Sequence, residues 1–239
     1  MSDTQSQEAV TFLNETTAEF RNEMGELVEK YYSDEYFDEI GGPEAVVHQV
    51  VPDLAWREWF NGAMIPARQM HYVFEQGDPY YRDRDIIVGL SEQIRDEIKH
   101  ANTLANISRR FGVDMDFAQW DQWLDEDVAE ALVAQHQAAM APDYEGPQYS
   151  AVGMQCSTEI IAVHTLHRMA EYMEPSYPNA ADQMREIAND EDDHVHVGRM
   201  IVERFSTPED IPVLREITET KRERIENMLR TRYERTMDE

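Results

Sequence analysis

Two Glu-x-x-His motifs are the residues of this sequence whose types and spacing could do chemistry. One is Glu97 with His100, and the other is Glu191 with His194. Side chains three residues apart lie on the same face of an α-helix, so each glutamate and its histidine can reach one point. Carboxylates and imidazoles are common ligands of transition metals. A single pair arises readily by chance in an acidic chain, but two pairs on separate helices predict a metal site.

Both glutamates are predicted to point into a protein core. At about 100° per residue, Glu97 and Glu191 each lie in line with an apolar stripe on their own helix. Ionised carboxylates are almost never buried without a partner, so we expect a cation between them, most naturally a metal ion. The two stripes comprise Ile86, Leu90, Ile94, Ala101, Leu104 and Phe111 in the first helix, and Met184, Ile187, Val195, Gly198 and Val202 in the second.

A third carboxylate, Glu159, lies on another apolar stripe, 32 residues before Glu191. A helical hairpin with its turn near residues 174–178 would bring these two carboxylates to nearly equal heights. Alternatively, Glu159 could pair with Arg168 or His167, and the acidic run at residues 190–193 could be solvated. In ferritin-like di-iron carboxylate proteins, two helices give one glutamate each and two give Glu-x-x-His. The sequence shows this pattern on three of the four helices.

The fourth helix, predicted at Asp53–Gln76, has no carboxylate on its apolar stripe. Glu58 falls on the opposite side at α-helical spacing, although Pro66 can kink the helix and shift its phase. We rank Gln69 first as the sixth ligand because the turn at Gly77 sets its height, and Glu58 second. If neither approaches the metals, the site is open on that side. Among the other histidines, His167 and His196 are the candidates for a supporting role around the ligands.

Long helices with three- and four-residue periodicity, separated by scarce glycine and proline, predict an all-α fold. We expect one domain over residues 1–239, a ferritin-like four-helix bundle with extra N- and C-terminal helices. Residues 8–51 would be an N-terminal helix and a connector with room for one short helix, residues 53–205 the metal-binding bundle, and residues 208–239 a C-terminal helix. The predicted helices are Glu8–Tyr32, Asp53–Gln76, Asp83–Phe111, Asp116–Met140, Tyr149–Met173, Asn179–Phe205 and a tail that begins at Pro208 or Pro212.

The run Asp96–Ala101 resembles the Asp-Glu-x-x-His-Ala run of bacterial multicomponent di-iron oxygenases that act on aromatic acyl-CoA thioesters. The phenylacetyl-CoA and benzoyl-CoA epoxidases are members of that family. The run Asn189–His194, followed by Gly198, is similar to the family's second motif, and the resemblance spans about Ala55–Phe205. It implies two iron ions, or manganese or a mixed pair, held by Glu97, His100, Glu159, Glu191 and His194.

The same resemblance implies an activity. Reduced iron would react with dioxygen, and one oxygen atom would be inserted into an organic substrate, for which an aromatic acyl-CoA thioester is the candidate. Electrons would come from a separate reductase. Two alternatives stay open: a non-catalytic partner subunit with a degenerate metal site, and a ferroxidase or peroxide-scavenging ferritin relative. Either oxygenase or partner would belong to a homo- or hetero-oligomer.

The charge of the chain limits its partners. There are 21 basic and 49 acidic residues, a net charge of −28, which argues against nucleic acid and anionic membranes as partners. Only Lys30, Lys99 and Lys221 are lysines, and an acidic, lysine-poor surface favours a high-salt cytoplasm, with an ordinary acidic protein as the alternative. Cys156 is alone, which indicates a reducing compartment. The polar N-terminus and the lack of a long apolar run predict a cytoplasmic protein.

Overall fold

The computed structural model describes residues 3–116 and 126–237 of the chain. About 85% of the described residues are helical and they contain no strand, so the all-α prediction is confirmed. No helix within these residues combines the length and apolarity that a membrane span requires. The helices are α1 (Asp3–Tyr31), α2 (Asp34–Glu39), α3 (Pro43–Gln49), α4 (Val51–Arg57), α5 (Met64–Gln76), α6 (Arg84–Arg110), α7 (Glu126–Met140), α8 (Pro147–Gly153), α9 (Glu159–Met173), α10 (Pro178–Phe205) and α11 (Ile211–Met237).

Most helix ends lie within a few residues of their predicted positions. The connector holds two short helices, α2 and α3, where one was expected. Part of the helix predicted at Asp116–Met140 falls on residues 117–125, outside the described residues, and Asp116 itself is not helical. Gly112 follows α6 with a φ of 83°, the left-handed conformation that glycine adopts without steric penalty, as expected of a C-terminal cap.

Two of the predicted long helices are each divided by a π-helical segment. The first segment, π1 (Glu58–Gly62), joins α4 to α5, and the second, π2 (Met154–Thr158), joins α8 to α9. A π turn bonds residue i to i+5 and changes the phase of the side chains around it relative to an uninterrupted α-helix. Glu58 opens π1 and Glu159 directly follows π2, so both π segments adjoin candidate ligands.

Four helical segments lie side by side around the candidate ligands: α4–π1–α5, α6, α8–π2–α9 and α10. Helix α6 packs against both α4–π1–α5 and α10, and α10 packs along α9. Outside this arrangement, α1 lies across α9 and α10, and α11 packs against α7 and α8. The apolar stripes on α6 and α10 are buried as their periodicity predicts, which turns the glutamates between those stripes inward.

Candidate metal centre

Six acidic and histidine side chains form a buried cluster between the four segments. They make up two groups of four, and the potential ligand atoms within each group lie within 4.8 Å of one another. Glu97 and Glu191 belong to both groups. Either group could hold a metal ion, and the shared carboxylates would connect two such ions. The first group is Glu58, Glu97, His100 and Glu191, and the second is Glu97, Glu159, Glu191 and His194.

Glycine at position 62 allows Glu97 to enter the cluster. A Cβ atom at Gly62 would lie 2.2 Å from Glu97 Oε2 and 2.4 Å from its Cδ, far closer than atoms can approach. Because glycine has no such atom, π1 can pack directly against the Glu97 carboxylate. The side chain of Glu97 is consequently only 1% exposed, and it lies beside Glu58 from the start of π1.

The structure reverses the predicted ranking of Gln69 and Glu58. The Gln69 amide is engaged elsewhere: its Nε2 donates to Ser150 Oγ at 3.0 Å and to Gln155 Oε1 at 3.1 Å, and its Oε1 accepts from Gln155 at 2.7 Å. Glu58, which α-helical spacing places on the opposite side, faces the cluster instead and is 4% exposed. The physical reason is the segment π1, which begins at Glu58. Its wider turns change the direction of side chains around the helix axis, and the prediction had assumed α-helical spacing.

Each histidine turns its Nδ1 atom towards the carboxylates. His100 Nδ1 lies 3.0 Å from Glu191 Oε1 and 3.5 Å from Glu58 Oε2. His194 Nδ1 lies 2.6 Å from Glu191 Oε2 and 3.3 Å from Glu97 Oε1. These four distances place both rings and three of the carboxylates around a common interior space, with Nδ1 as the nitrogen available to a metal.

Asp190 orients His100 from outside the cluster. His100 Nε2 lies 3.0 Å from Asp190 Oδ2, which also accepts from Lys99 Nζ at 3.2 Å. A proton on Nε2 would bond Asp190 and leave the Nδ1 lone pair free, the arrangement that outer carboxylates commonly impose on metal-binding histidines. His194 Nε2 has no hydrogen-bond partner within the described part of the chain, so no residue there orients the His194 ring as Asp190 orients that of His100.

Unsatisfied polar atoms test whether this cluster suits a metal. Glu58 Oε2, His100 Nδ1 and Glu191 Oε1 are buried and make no hydrogen bond to any described residue. They nevertheless lie close together, since His100 Nδ1 is 3.0 Å from one of these oxygens and 3.5 Å from the other. Buried polar atoms without hydrogen bonds are rare in folded proteins. A metal ion coordinated by all three would satisfy them, so the donor set fits such an ion.

The charges of the metal-free cluster are strongly perturbed. Burial raises the pKa of Glu58 and of Glu159 well above the ordinary value, and the neighbouring carboxylates raise both further. Burial alone would lower the pKa of both histidines, but the Glu191 carboxylate beside both rings outweighs burial and raises the pKa of His100 to about 11 and that of His194 to about 12. Glu191 is also buried, yet the two histidines lower its pKa to about 2. Protons thus compensate part of the carboxylate charge.

A chain of three glutamine side chains leads from the cluster towards the surface. Gln93 Nε2 donates to Glu97 Oε1 at 3.1 Å and to Glu159 Oε1 at 2.8 Å. Gln155 Nε2 donates to Gln93 Oε1 at 3.0 Å and also bonds Gln69. Gln69 in turn lines a cavity of about 380 Å³. The amides fix the two carboxylates and link them to this cavity, which is also bounded by Arg68, Tyr72, Tyr144 and Ser150.

The supporting residues differ from those the sequence suggested. His196 is exposed and His167 is half-buried, whereas Asp190 and Gln93 make the contacts to the candidate ligands. Gln93 could have been found, because it lies one turn before Glu97 and so on the same helix face. Asp190 was hidden in a run of four acidic residues that periodicity alone cannot tell apart.

Comparisons with known proteins give no match: none of the protein-family models, curated proteins or solved structures searched matches this chain significantly. The candidate function is therefore argued from the side chains themselves.

Proposed function

We propose that this protein binds two metal ions, most naturally iron, between four helices in a ferritin-like arrangement, and that it is the oxygenase component of a dioxygen-activating system. One observation carries the proposal: two four-residue groups share Glu97 and Glu191. Shared carboxylates are the means by which di-iron carboxylate proteins hold two ions in one bundle. Manganese, or a mixed pair, would suit the same donors.

The residues have distinct parts in this proposal. Glu58, Glu97, His100 and Glu191 would hold one ion, and Glu97, Glu159, Glu191 and His194 would hold the other. Bound iron would supply the redox chemistry with dioxygen.

The surrounding residues hold this donor set in place. Asp190 accepts a hydrogen bond from the protonated Nε2 of His100, so that loss of the other ring proton would leave Nδ1 available to a metal. Gln93 holds one oxygen of Glu97 and one of Glu159 by two hydrogen bonds. Burial of every donor keeps bulk water away from the reacting centre.

Glu58 bears on the alternative of a degenerate partner subunit. That alternative rested on the lack of a carboxylate ligand from the helix at residues 53–76. Glu58 supplies a carboxylate at this position, since its side chain belongs to the first group with Glu97, His100 and Glu191. The complete set of four glutamates and two histidines favours a working centre over a decayed one.

The proposal is tested by substrate-dependent oxygen consumption. Protein loaded with Fe(II) would be reduced chemically and mixed with ¹⁸O₂ and an aromatic acyl-CoA thioester, with benzoyl-CoA and phenylacetyl-CoA tried first because of the motif resemblance. We expect oxygen uptake coupled to one ¹⁸O atom in the organic product, and loss of both in Glu191→Gln. Oxidation of many Fe(II) ions per chain without substrate dependence would indicate a ferroxidase and contradict the oxygenase proposal.

A further inference from the structure

Arg57 is a buried cation that the proposed metal centre does not use. It ends α4, directly before Glu58, and its side chain is 4% exposed. Its Nε and Nη1 atoms are buried and have no hydrogen-bond partner among residues 3–116 and 126–237. Buried guanidinium groups almost always have an anionic or hydrogen-bonded partner, so two unsatisfied N–H groups at one position call for an explanation.

The expected partner of Arg57 is occupied by another arginine. Asp53 lies one helical turn before Arg57, the spacing at which aspartate and arginine pair on a helix. Asp53 instead forms an ion pair with Arg232, whose Nη1 also donates to the Tyr32 hydroxyl at 3.0 Å. Arg232 is therefore satisfied by protein groups, whereas the Nε and Nη1 atoms of Arg57 have no partner in the two described ranges.

Asn61 adds a further unsatisfied donor four residues beyond Arg57. It is 1% exposed, its Oδ1 contacts His136 Nδ1, and its Nδ2 has no partner in the described part of the chain. Arg57 and Asn61 belong to continuous helical backbone and are one turn apart. Arg57 and Asn61 thus carry three buried donor atoms for which the described part of the chain supplies no acceptor.

Charge balance shows when Arg57 would need a partner. Its guanidinium lies within electrostatic range of Tyr32, Glu58, Glu159 and Glu191. Among these groups Glu191, whose pKa is lowered, is the ionised carboxylate that can compensate the guanidinium in the metal-free chain. Two divalent ions would neutralise the four glutamates of the centre. Arginine remains protonated in proteins, so its charge would then be buried without compensation, which is strongly unfavourable. An anion beside the metal-loaded centre would restore the balance.

We propose that Arg57 and Asn61 bind the carboxylate group of a small organic acid beside the metal centre. Guanidinium N–H groups make short, charge-assisted hydrogen bonds to carboxylates, and the asparagine amide adds a third donor. The inference rests on the proposed function, because bound metal ions would take up the charge of Glu191 and leave the guanidinium without compensation. It adds organic acids with a free carboxylate to the substrates that the oxygen-uptake assay should include beside the thioesters.

The test uses benzoate as the anionic probe and benzamide as its uncharged analogue of similar shape. Binding would be measured by calorimetry on Co(II)-loaded protein after metal content per chain has been determined. We expect benzoate to bind and benzamide not to bind, and Arg57→Met to weaken benzoate about tenfold to a hundredfold, the effect of losing a charged hydrogen bond. Arg82→Met is the matched control, since it removes the same charge at an exposed position and should leave benzoate affinity unchanged.

Thermal melting of the same metal-loaded proteins separates ligand binding from a structural role. Without benzoate, Arg57→Met should melt no lower than the wild type, because it removes an uncompensated buried charge. Benzoate should raise the melting temperature of the wild type and of Arg82→Met, but not of Arg57→Met.

Two results would overturn the inference: equal benzoate affinity in Arg57→Met and wild type, or a large loss of stability in Arg57→Met without ligand, which would show an internal partner. Either could occur with two metals still bound per chain, which leaves the proposed function standing. Absence of metal binding would remove both proposals together.

Discussion

Replacing Gly62 with alanine should displace the Glu97 carboxylate without removing any candidate ligand. The added Cβ would lie 2.2 Å from Glu97 Oε2 and 2.8 Å from its Cγ, whereas non-bonded heavy atoms prefer about 3.5 Å. Overpacking of this kind disfavours a core by about 1–3 kcal/mol. In the metal-free chain Glu97 can rotate away from the added methyl group, but to bind metal it would have to stay in place. We therefore expect the cost of overpacking to weaken metal binding, by roughly 5- to 150-fold.

The assay is a titration of metal-free protein with Co(II), whose absorption reports coordination, combined with thermal melting of the metal-free form. Alanine has a higher helix propensity than glycine by about 1 kcal/mol, so the metal-free Gly62→Ala protein should keep most of its stability. Gly25→Ala is the matched control, because its Cβ would approach His164 no closer than 3.1 Å and lies on α1. Wild-type affinity for both metals in Gly62→Ala would refute the role of Gly62 and the placement of Glu97.

Three further predictions concern the supporting residues, pH and salt. Gln93→Leu removes the amide that donates hydrogen bonds to Glu97 and Glu159. It should weaken metal binding about 10- to 100-fold with little change in stoichiometry, as measured by the same Co(II) titration. His100 and His194 have pKa values of about 11 and 12, above the ordinary 6.5, so their protonation stabilises the metal-free fold fully below pH 6.5, and this contribution is lost as pH rises through those values. Metal binding at pH 7.5 must therefore release at least these two protons, which calorimetry in buffers of different ionisation enthalpy will detect; release of fewer would contradict the geometry. At a net charge of −28 the folded chain repels itself, so its melting temperature should rise markedly from dilute to 1 M KCl, where the Debye length is about 3 Å, and a flat response would remove the high-salt interpretation.

The helices and five of the six clustered residues could be predicted from the sequence. Both predictions depend on the regular three- and four-residue spacing of side chains along an α-helix. Glu97 and Glu191 continue apolar stripes on α6 and α10, and those stripes are buried in the structure. Burial of a stripe fixes the direction of every side chain in line with it, whether apolar or acidic. The hairpin argument placed Glu159 near Glu191 for the same reason, since α9 and α10 pack along each other.

Glu58 could not be predicted from the same period because the period changes at that residue. The segment π1 begins at Glu58, and nothing in the residues 58–62 distinguishes a π turn from an α turn before tertiary contacts form. A hint was present in Gly62, a residue with low helix propensity inside a predicted helix, which often marks close packing. In this structure the close neighbour is Glu97.

Arg57 illustrates a second limit of sequence reasoning. Its spacing from Asp53 predicts an ion pair within one helix, and only the position of Arg232 on α11 shows that Asp53 is taken. Which buried charges pair depends on contacts between elements far apart in sequence. Asp53 and Arg232 are separated by 179 residues, the difference between 232 and 53. Periodicity describes a single helix and carries no information about that choice.

The most direct test of the two-metal centre is its stoichiometry. Metal-free protein would be titrated anaerobically with Fe(II), and bound iron per chain would be counted in the wild type and in the double variant His100→Ala, His194→Ala. Two iron ions per wild-type chain, with most of that binding lost in the double variant, is the predicted result. One iron or none in the wild type, or unchanged binding in the double variant, would contradict the shared-carboxylate centre.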